Sequence, residues 1–356
     1  MLKKNKKRMN TFLIFIIIFL LTSFYSHCEP KYTLDLVCGE PLWTDTGLPM
    51  QTFKSAVEYL TNGDVYVHLY PSGEWGGESK DCLAGIQLNT LDMLVTTSSL
   101  LSQYTDALYL FDVPFLFKNS LDPILLSFKS PTEHTQLMKG VLEKASQESK
   151  MKVLSATTAG RRDIFSNKPI ESIDDIQGLK IRVISNPVQV DAFNYMGLKA
   201  TPLSYGEVYN SLRLKMIDAA ENSPNAYIEM RFVEGAPYYV LTDHLSNGIA
   251  ILMSHKAWDS LPGSYQRIIE QCAVGAMHAS SLWGLGASDY YLKSEVSKSA
   301  KKIVVVTPEE KRILREKVIP KLLDKYSEAI GIDVLEFLAE NDEVIANWSE
   351  KNKSNE

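Results

Sequence analysis

Strand-like and helix-like segments take turns along almost the whole chain, and this alternation limits the fold more than any other feature. Tyr32–Cys38 (YTLDLVC) alternates apolar and polar residues and reads as a strand. Residues 51–60 read as a helix, Val65–Tyr70 (VYVHLY) as a second strand, 78–88 as a helix and 91–96 as a third strand. Repetition of this kind builds a mostly parallel sheet covered by helices, an α/β fold. Residues 109–117 (YLFDVPFLF) form a dense apolar connection broken by Pro114, followed by a helix over 134–148 and a strand over 152–156.

A second α/β set follows without a low-complexity linker. Ser172, with Asp175 three residues on, caps a short helix that ends at Gly178; residues 179–184 (LKIRVI) are a strand, and 188–196 are a helix closed by Gly197. Ser204 and Glu207 form a capping box that opens a helix to about residue 214. Residues 247–253 are strand-like, 257–299 favour helix apart from a turn at Pro262-Gly263, and 303–306 are a last strand. Thr307-Pro308-Glu309-Glu310 is a helix start: a cap, a proline at the first helical position, then acids on the positive helix end. Two α/β sets joined this closely predict two lobes connected by several crossing strands.

The N-terminus carries an export signal. Lys3, Lys4, Lys6, Lys7 and Arg8 precede an unbroken apolar run over 12–21 and a more polar exit over 22–27. That run is shorter than the roughly 20 residues of a transmembrane helix. Two exits are open: a cut after Cys28, or lipidation of Cys28, for which Tyr25 and His27 stand where a lipoprotein site prefers leucine and a small residue. Removing the five cations takes the formal net charge from −6 to −11. An acidic, exported protein is expected to work outside the cytoplasm and to bind no nucleic acid. Four cysteines without a CxxC pair, and six scattered histidines, predict neither a disulfide framework nor a metal site.

No G-x-S-x-G elbow, phosphate-binding loop, H-E-x-x-H or dinucleotide fingerprint is present, so neither catalysis nor a cofactor is expected. The paired acids Asp174-Asp175 and Glu309-Glu310 sit at helix starts and read as caps. Arginine placement is more informative. Arg182 lies near the C-terminal end of a strand that reads as buried, where α/β sheets place ligands. Arg161 and Arg162 follow Gly160, just after the strand expected over 152–156. Two neighbouring strands would then each bring a guanidinium to one sheet edge. A guanidinium matches a carboxylate bidentately, and buried arginines serve either as ligand grips or in structural salt bridges. The residues leave both roles open.

The motifs around Arg182 resemble a known family. Gly178-Leu179-Lys180-Ile181-Arg182-Val183, then Gly197, Pro202 to Leu214 (PLSYGEVYNSLRL), Ile217-Asp218 and Glu221-Asn222 are similar to the central signature of the solute-binding proteins of tripartite ATP-independent periplasmic (TRAP) transporters. The loop from Tyr70 to Glu78, the segment from Leu110 to Phe117, Gly160 with Arg162, Ser166 and Asn167, and Leu241-Thr242-Asp243-His244 extend the resemblance over essentially the whole mature chain.

The resemblance implies a two-lobe venus-flytrap that closes on a small organic acid and presents it to the membrane subunits of a TRAP transporter, with the receptor acting as a monomer. The boundaries it suggests are a signal peptide over 1–28, lobe I over 29–159 plus about 248–287, lobe II over 160–247 plus about 288–350, and a disordered tail over 351–356. By matching position, Arg182 resembles the arginine that grips the ligand carboxylate, Arg162 a supporting arginine, Asn222 a hydrogen-bond donor to the same group and Glu78 a ligand neighbour from the other lobe. Trp43, in the first-lobe segment, is expected to narrow the cleft. An exported enzyme acting on organic acids, a sensory ligand-presenting protein, and a receptor for an apolar or amide ligand are the alternatives.

Overall fold

The computed structural model describes residues 29–76 and 79–353. The signal peptide with Cys28, Glu78 and the end of the expected tail lie outside the described residues. The chain forms a nine-stranded mixed sheet flanked by helices. In chain order the strands are β1 (Tyr32–Cys38), β2 (Val65–Tyr70), β3 (Met93–Thr97), a small separate ladder of β4 (Phe128–Ser130) and β5 (Glu133–His134), then β6 (Lys152–Ser166), β7 (Lys180–Val183), β8 (Lys199–Pro202), β9 (Ala219–Asn222), β10 (Tyr238–Met253) and β11 (Lys302–Val305). The sheet order is β2-β1-β3-β10-β6-β9-β7-β8, with β11 beside β10.

The two α/β sets are therefore the parallel group β2-β1-β3 and the group β9-β7-β8, and β6 and β10 run through both. The last residues of β10, Ile249–Met253, pair antiparallel with β3, while its first residues, from Tyr238 to Leu241, pair with β11. On β6, Asp163 to Ser166 pair with β9, and Lys152 to Ala159 pair with the far half of β10. Two irregularities mark the crossing. Between Val240 and Leu245, β10 spends extra residues against β6, and between Ser246 and Asn247 the register slips again, opposite Gly160. Gly160 has φ +67 and Asp243 φ +41. A bulge bends a strand and re-aims its side chains, here where the chain passes from one lobe to the other.

The expected strand over 152–156 thus continues to Ser166, and Arg161 and Arg162 lie inside it rather than after it. The strand Ala219–Asn222 was not expected, and it separates β6 from β7, so the strands carrying Arg162 and Arg182 are not neighbours. The capping boxes at Ser172, Ser204 and Thr307 are formed, although the first two open 3-10 turns and the second turn runs on into the helix Val208–Arg213. The last helix, Glu343–Lys353, extends into the stretch expected to be a tail.

Apolar residues divide by face. Leu34, Leu36, Phe53, Val67 and Ile251 pack with the helices Leu48–Leu60 and Gly263–Tyr291 on one side. Phe165, Leu212, Tyr227 and Tyr239 form the core beneath β9. A larger cluster with Leu94, Phe111, Ile181, Phe193 and Leu322 spans the other side. No helix among the described residues is long and apolar enough to cross a membrane.

The 29-residue helix Gly263–Tyr291 lies against β6 at the crossing. The contact needs small residues: a Cβ on Gly284 would stand 2.5 Å from the Gly160 amide nitrogen and 2.9 Å from the Ala159 carbonyl carbon. Ser288 Oγ accepts from the Arg161 amide at 3.1 Å, and the Thr157 and Ser281 hydroxyls meet at 3.2 Å. Gly284→Ala should therefore force helix and strand apart and cost about 1–3 kcal/mol. Gly286→Ala, on the same helix with nothing within 4 Å of its Cβ, should be neutral or stabilise by about 0.4–1 kcal/mol. Urea unfolding of the two variants checks this, and equal stabilities would contradict the close approach.

Candidate functional site

A cavity of about 630 Å³ lies between the two groups of strands. From one side it is lined by the segment after β1 (Glu40, Thr46), by the end of β3 (Thr96, Thr97) and by Gln103. From the other it is lined by Arg162 on β6, Arg182 on β7, Asn222 on β9, Asn247 on β10 and the turn at Tyr205. Most of these positions stand at or just beyond strand C-termini, the edge where open α/β sheets bind ligands.

Arg162 and Arg182 are 3% and 4% exposed, yet they are held in opposite ways. Arg162 is a structural partner. Its Nε donates to Glu221 Oε2 at 2.6 Å and its Nη2 to Glu221 Oε1 at 2.8 Å, a bidentate fork. Its Nη1 donates to Asn247 Oδ1 at 2.8 Å. Asn247 in turn donates to Asp45 Oδ2 at 3.0 Å, and Asn225 donates to Asp45 Oδ1 at 3.0 Å, so the network reaches the other side of the cavity. His244, presented by the β10 bulge, sits 3.5 Å from Glu221 Oε2, and its Nδ1 meets the Thr242 hydroxyl at 2.8 Å.

Arg182 forms no ion pair among the described residues. Its Nε donates to the Leu203 carbonyl at 3.0 Å, and its guanidinium carbon lies 6.0 Å from the Tyr205 ring centroid. Burial is the main cause that brings its pKa down to about 10; the Glu221 charge works against that, and the neighbouring Arg162 adds repulsion. A buried cation without a counter-ion is costly, and an anion in the cavity would relieve the cost. Asn222 is 6% exposed, and its Oδ1 accepts from the Ser223 amide at 2.8 Å. Its amide nitrogen has no partner among the described residues, which leaves a neutral donor in the cavity wall.

Arg161 belongs elsewhere. Successive strand residues point to opposite faces, so Arg161 turns away from Arg162 and meets Asp163 at 3.2 Å. Tyr239 also donates to Asp163, at 2.9 Å. Trp43, expected to narrow the cleft, is 58% exposed and is not among the residues lining the cavity. The sequence reading missed Glu40, Asp45, Tyr205 and Asn247 as site residues. The available signal for Glu40 was its place two residues beyond the C-terminus of the first parallel strand.

The Arg162–Glu221 pair predicts an acid sensitivity. Burial alone would raise the Glu221 carboxyl, but the Arg162 charge and hydrogen bonds, with His244, outweigh it and bring the value from 4.5 down to about 2. The native state therefore binds fewer protons than the unfolded chain, and the pair's contribution is complete above pH 4.5 and lost as the pH falls toward about 2. Glu221→Gln should cost about 3–5 kcal/mol at neutral pH by stranding Arg162. It should also flatten the loss of stability on acidification, measured by urea unfolding at a series of pH values. Equal acid slopes in the two proteins would contradict the assignment.

The comparisons with known proteins agree with this layout. The model of the family described as bacterial extracellular solute-binding protein, family 7, matches residues 44–344. A solute-binding protein of Chromohalobacter salexigens is 29% identical over 246 residues, covering 67% of this chain and 70% of its own. The 2,3-diketo-L-gulonate-binding periplasmic protein of Escherichia coli is 28% identical over 228 residues, covering 63% and 66%. Among solved structures, a TRAP periplasmic solute-binding protein from Ochrobactrum anthropi superposes with a TM-score of 0.73 at 27% identity, over 92% of this chain and 98% of that one. Another, from a Sulfitobacter species with bound β-D-galacturonate, gives 0.73 at 25% identity over 83% and 96%. With most of its length matched and its two strand groups closing on one cavity, the chain belongs to family 7 of the bacterial extracellular solute-binding proteins, the receptors of TRAP transporters.

Proposed function

We propose that this protein is a periplasmic receptor that captures a small organic acid between its lobes and hands it, chemically unchanged, to the membrane subunits of a TRAP transporter. The observation that carries the reading is Arg182: a buried guanidinium with no carboxylate partner among the described residues, facing a cavity large enough for a ligand. A ligand carboxylate forks onto its terminal nitrogens, and the free amide of Asn222 adds a neutral donor. Arg162 has a different part. Four of its five donors are engaged by Glu221 and Asn247, so it holds the second lobe's wall in place rather than taking the ligand alone. The names of relatives support the reading: proteins binding 2,3-diketo-L-gulonate and sialic acid, and a neighbour holding β-D-galacturonate. The crossing strands β6 and β10 join the lobes without a free linker, and bending there would let the cleft load and release its ligand.

The test is calorimetric titration with the acid that copurifies under native conditions, identified by mass spectrometry. Removing one partner of a desolvated charged contact costs about 2–5 kcal/mol, so Arg182→Ala should weaken binding by roughly 30-fold or more. Arg182→Lys should recover little, since an ammonium cannot fork onto both oxygens. Asn222→Ala should cost less than Arg182→Ala. A lysine that binds as well as the arginine would overturn bidentate capture.

A further inference from the structure

The wall of the cavity opposite Arg182 carries polar groups that the carboxylate contact does not use. Glu40 lines the cavity just beyond β1. Beside it, the Thr46 hydroxyl is buried and has no hydrogen-bond partner, although Thr46 also lines the cavity. The protein's own donors near Glu40 are largely committed. The Thr44 hydroxyl donates to the Pro41 carbonyl at 2.8 Å, and the Arg162 fork is closed on Glu221. Asp45, the neighbouring acid, is already served by Asn225 and Asn247. Burial first, and then the Asp45 charge, push the Glu40 carboxyl up to about 7, and the Arg162 charge opposes them. One wall thus holds a cation without a counter-ion among the described residues, and the other a carboxyl beside a hydroxyl without a hydrogen-bond partner, with Lys80 also lining the cavity.

A ligand with only a carboxylate and a hydrocarbon body would satisfy Arg182 and leave Glu40 and Thr46 desolvated. Sites built to hydrogen-bond a ligand OH or NH reject the analogue that lacks it, because the site's own polar groups are left unpaired. We propose that Glu40, with the Thr46 hydroxyl, is the specificity determinant of this receptor: it takes a hydrogen-bond donor, hydroxyl or ammonium, at the far end of an acid whose carboxylate is held by Arg182. This rests on the receptor reading above and narrows its ligands to hydroxy or amino acids.

The test is a matched series on the full mature protein: unsubstituted, ω-hydroxy and ω-amino straight-chain acids of about four to six carbons, with D-galacturonate as a polyhydroxylated member, each titrated by calorimetry up to millimolar concentration. In the wild type, a donor-bearing acid should bind at least about tenfold more tightly than its unsubstituted partner. Glu40→Leu should bring that ratio to within about threefold by removing the acceptor. Glu40→Gln, close in shape, guards against a folding defect and separates the two donors. It should keep hydroxylated acids, whose hydroxyl can still donate to the amide oxygen, and lose the amino acids, whose charge it no longer balances. Thermal melts of all three proteins establish that they are folded. An unsubstituted acid that binds the wild type as tightly as its hydroxy and amino partners overturns the role of Glu40 and leaves the receptor reading intact. A preference that survives Glu40→Leu does the same. Failure of every acid to bind the wild type overturns the carboxylate receptor itself, and the Glu40 proposal with it.

Discussion

Two guanidinium groups stand in the wall of one cavity, and among the described residues only Arg162 has a carboxylate partner. Glu221 forks onto Arg162, and Arg182 is left with a single backbone carbonyl. The placement follows from the sheet: β9, which carries Glu221 and Asn222, runs between β6 and β7, which carry the two arginines. Glu221 also offsets part of the repulsion that Arg162 exerts on Arg182. Arg182 is therefore without a counter-ion among the described residues, and in the proposed function a ligand carboxylate supplies one. A second arginine ion-paired within the protein, with no charge left over, would make the same fold a poor anion receptor.

The architecture places this deficit at a boundary. β6 and β10 are the strands that belong to both lobes, and their bulges at Gly160 and at 241–244 lie at the level of the cavity. The same bulges re-aim functional side chains: His244 comes from the second, and Arg162 and Asn247 flank the first. The helix Gly263–Tyr291 supports the crossing from behind through Gly284 and Ser288. Cavity-lining side chains and the passage between the lobes thus share one short stretch of backbone. A ligand can favour the closed arrangement only by its differential affinity for it.

Much of this was legible in the sequence, for identifiable reasons. Alternation gave β1 and β2 with their boundaries, and a charged residue at the end of an apolar strand pointed to Arg182. Local capping chemistry located the starts at Ser172, Ser204 and Thr307. The misses have separate physical causes. β6 and β10 read too short because their bulges break the two-residue period on which a strand reading relies. β9 (AAEN) is buried along its whole length and shows no alternation. Arg162 could not be told from a ligand grip because its partner is 59 residues away. Glu40 and Trp43 lie in a segment whose path only the tertiary structure sets: the first faces the cavity and the second faces solvent.

The central claim is that Arg182 is a cation completed by the ligand. The most direct measurement is a crystal structure of the protein purified with its native ligand and without added carboxylates. The account predicts a carboxylate forked onto the terminal nitrogens of Arg182 at about 2.7–2.9 Å, with the Arg162–Glu221 pair unchanged beside it. A neutral ligand that leaves Arg182 facing water, or a carboxylate seated away from it, would contradict the account.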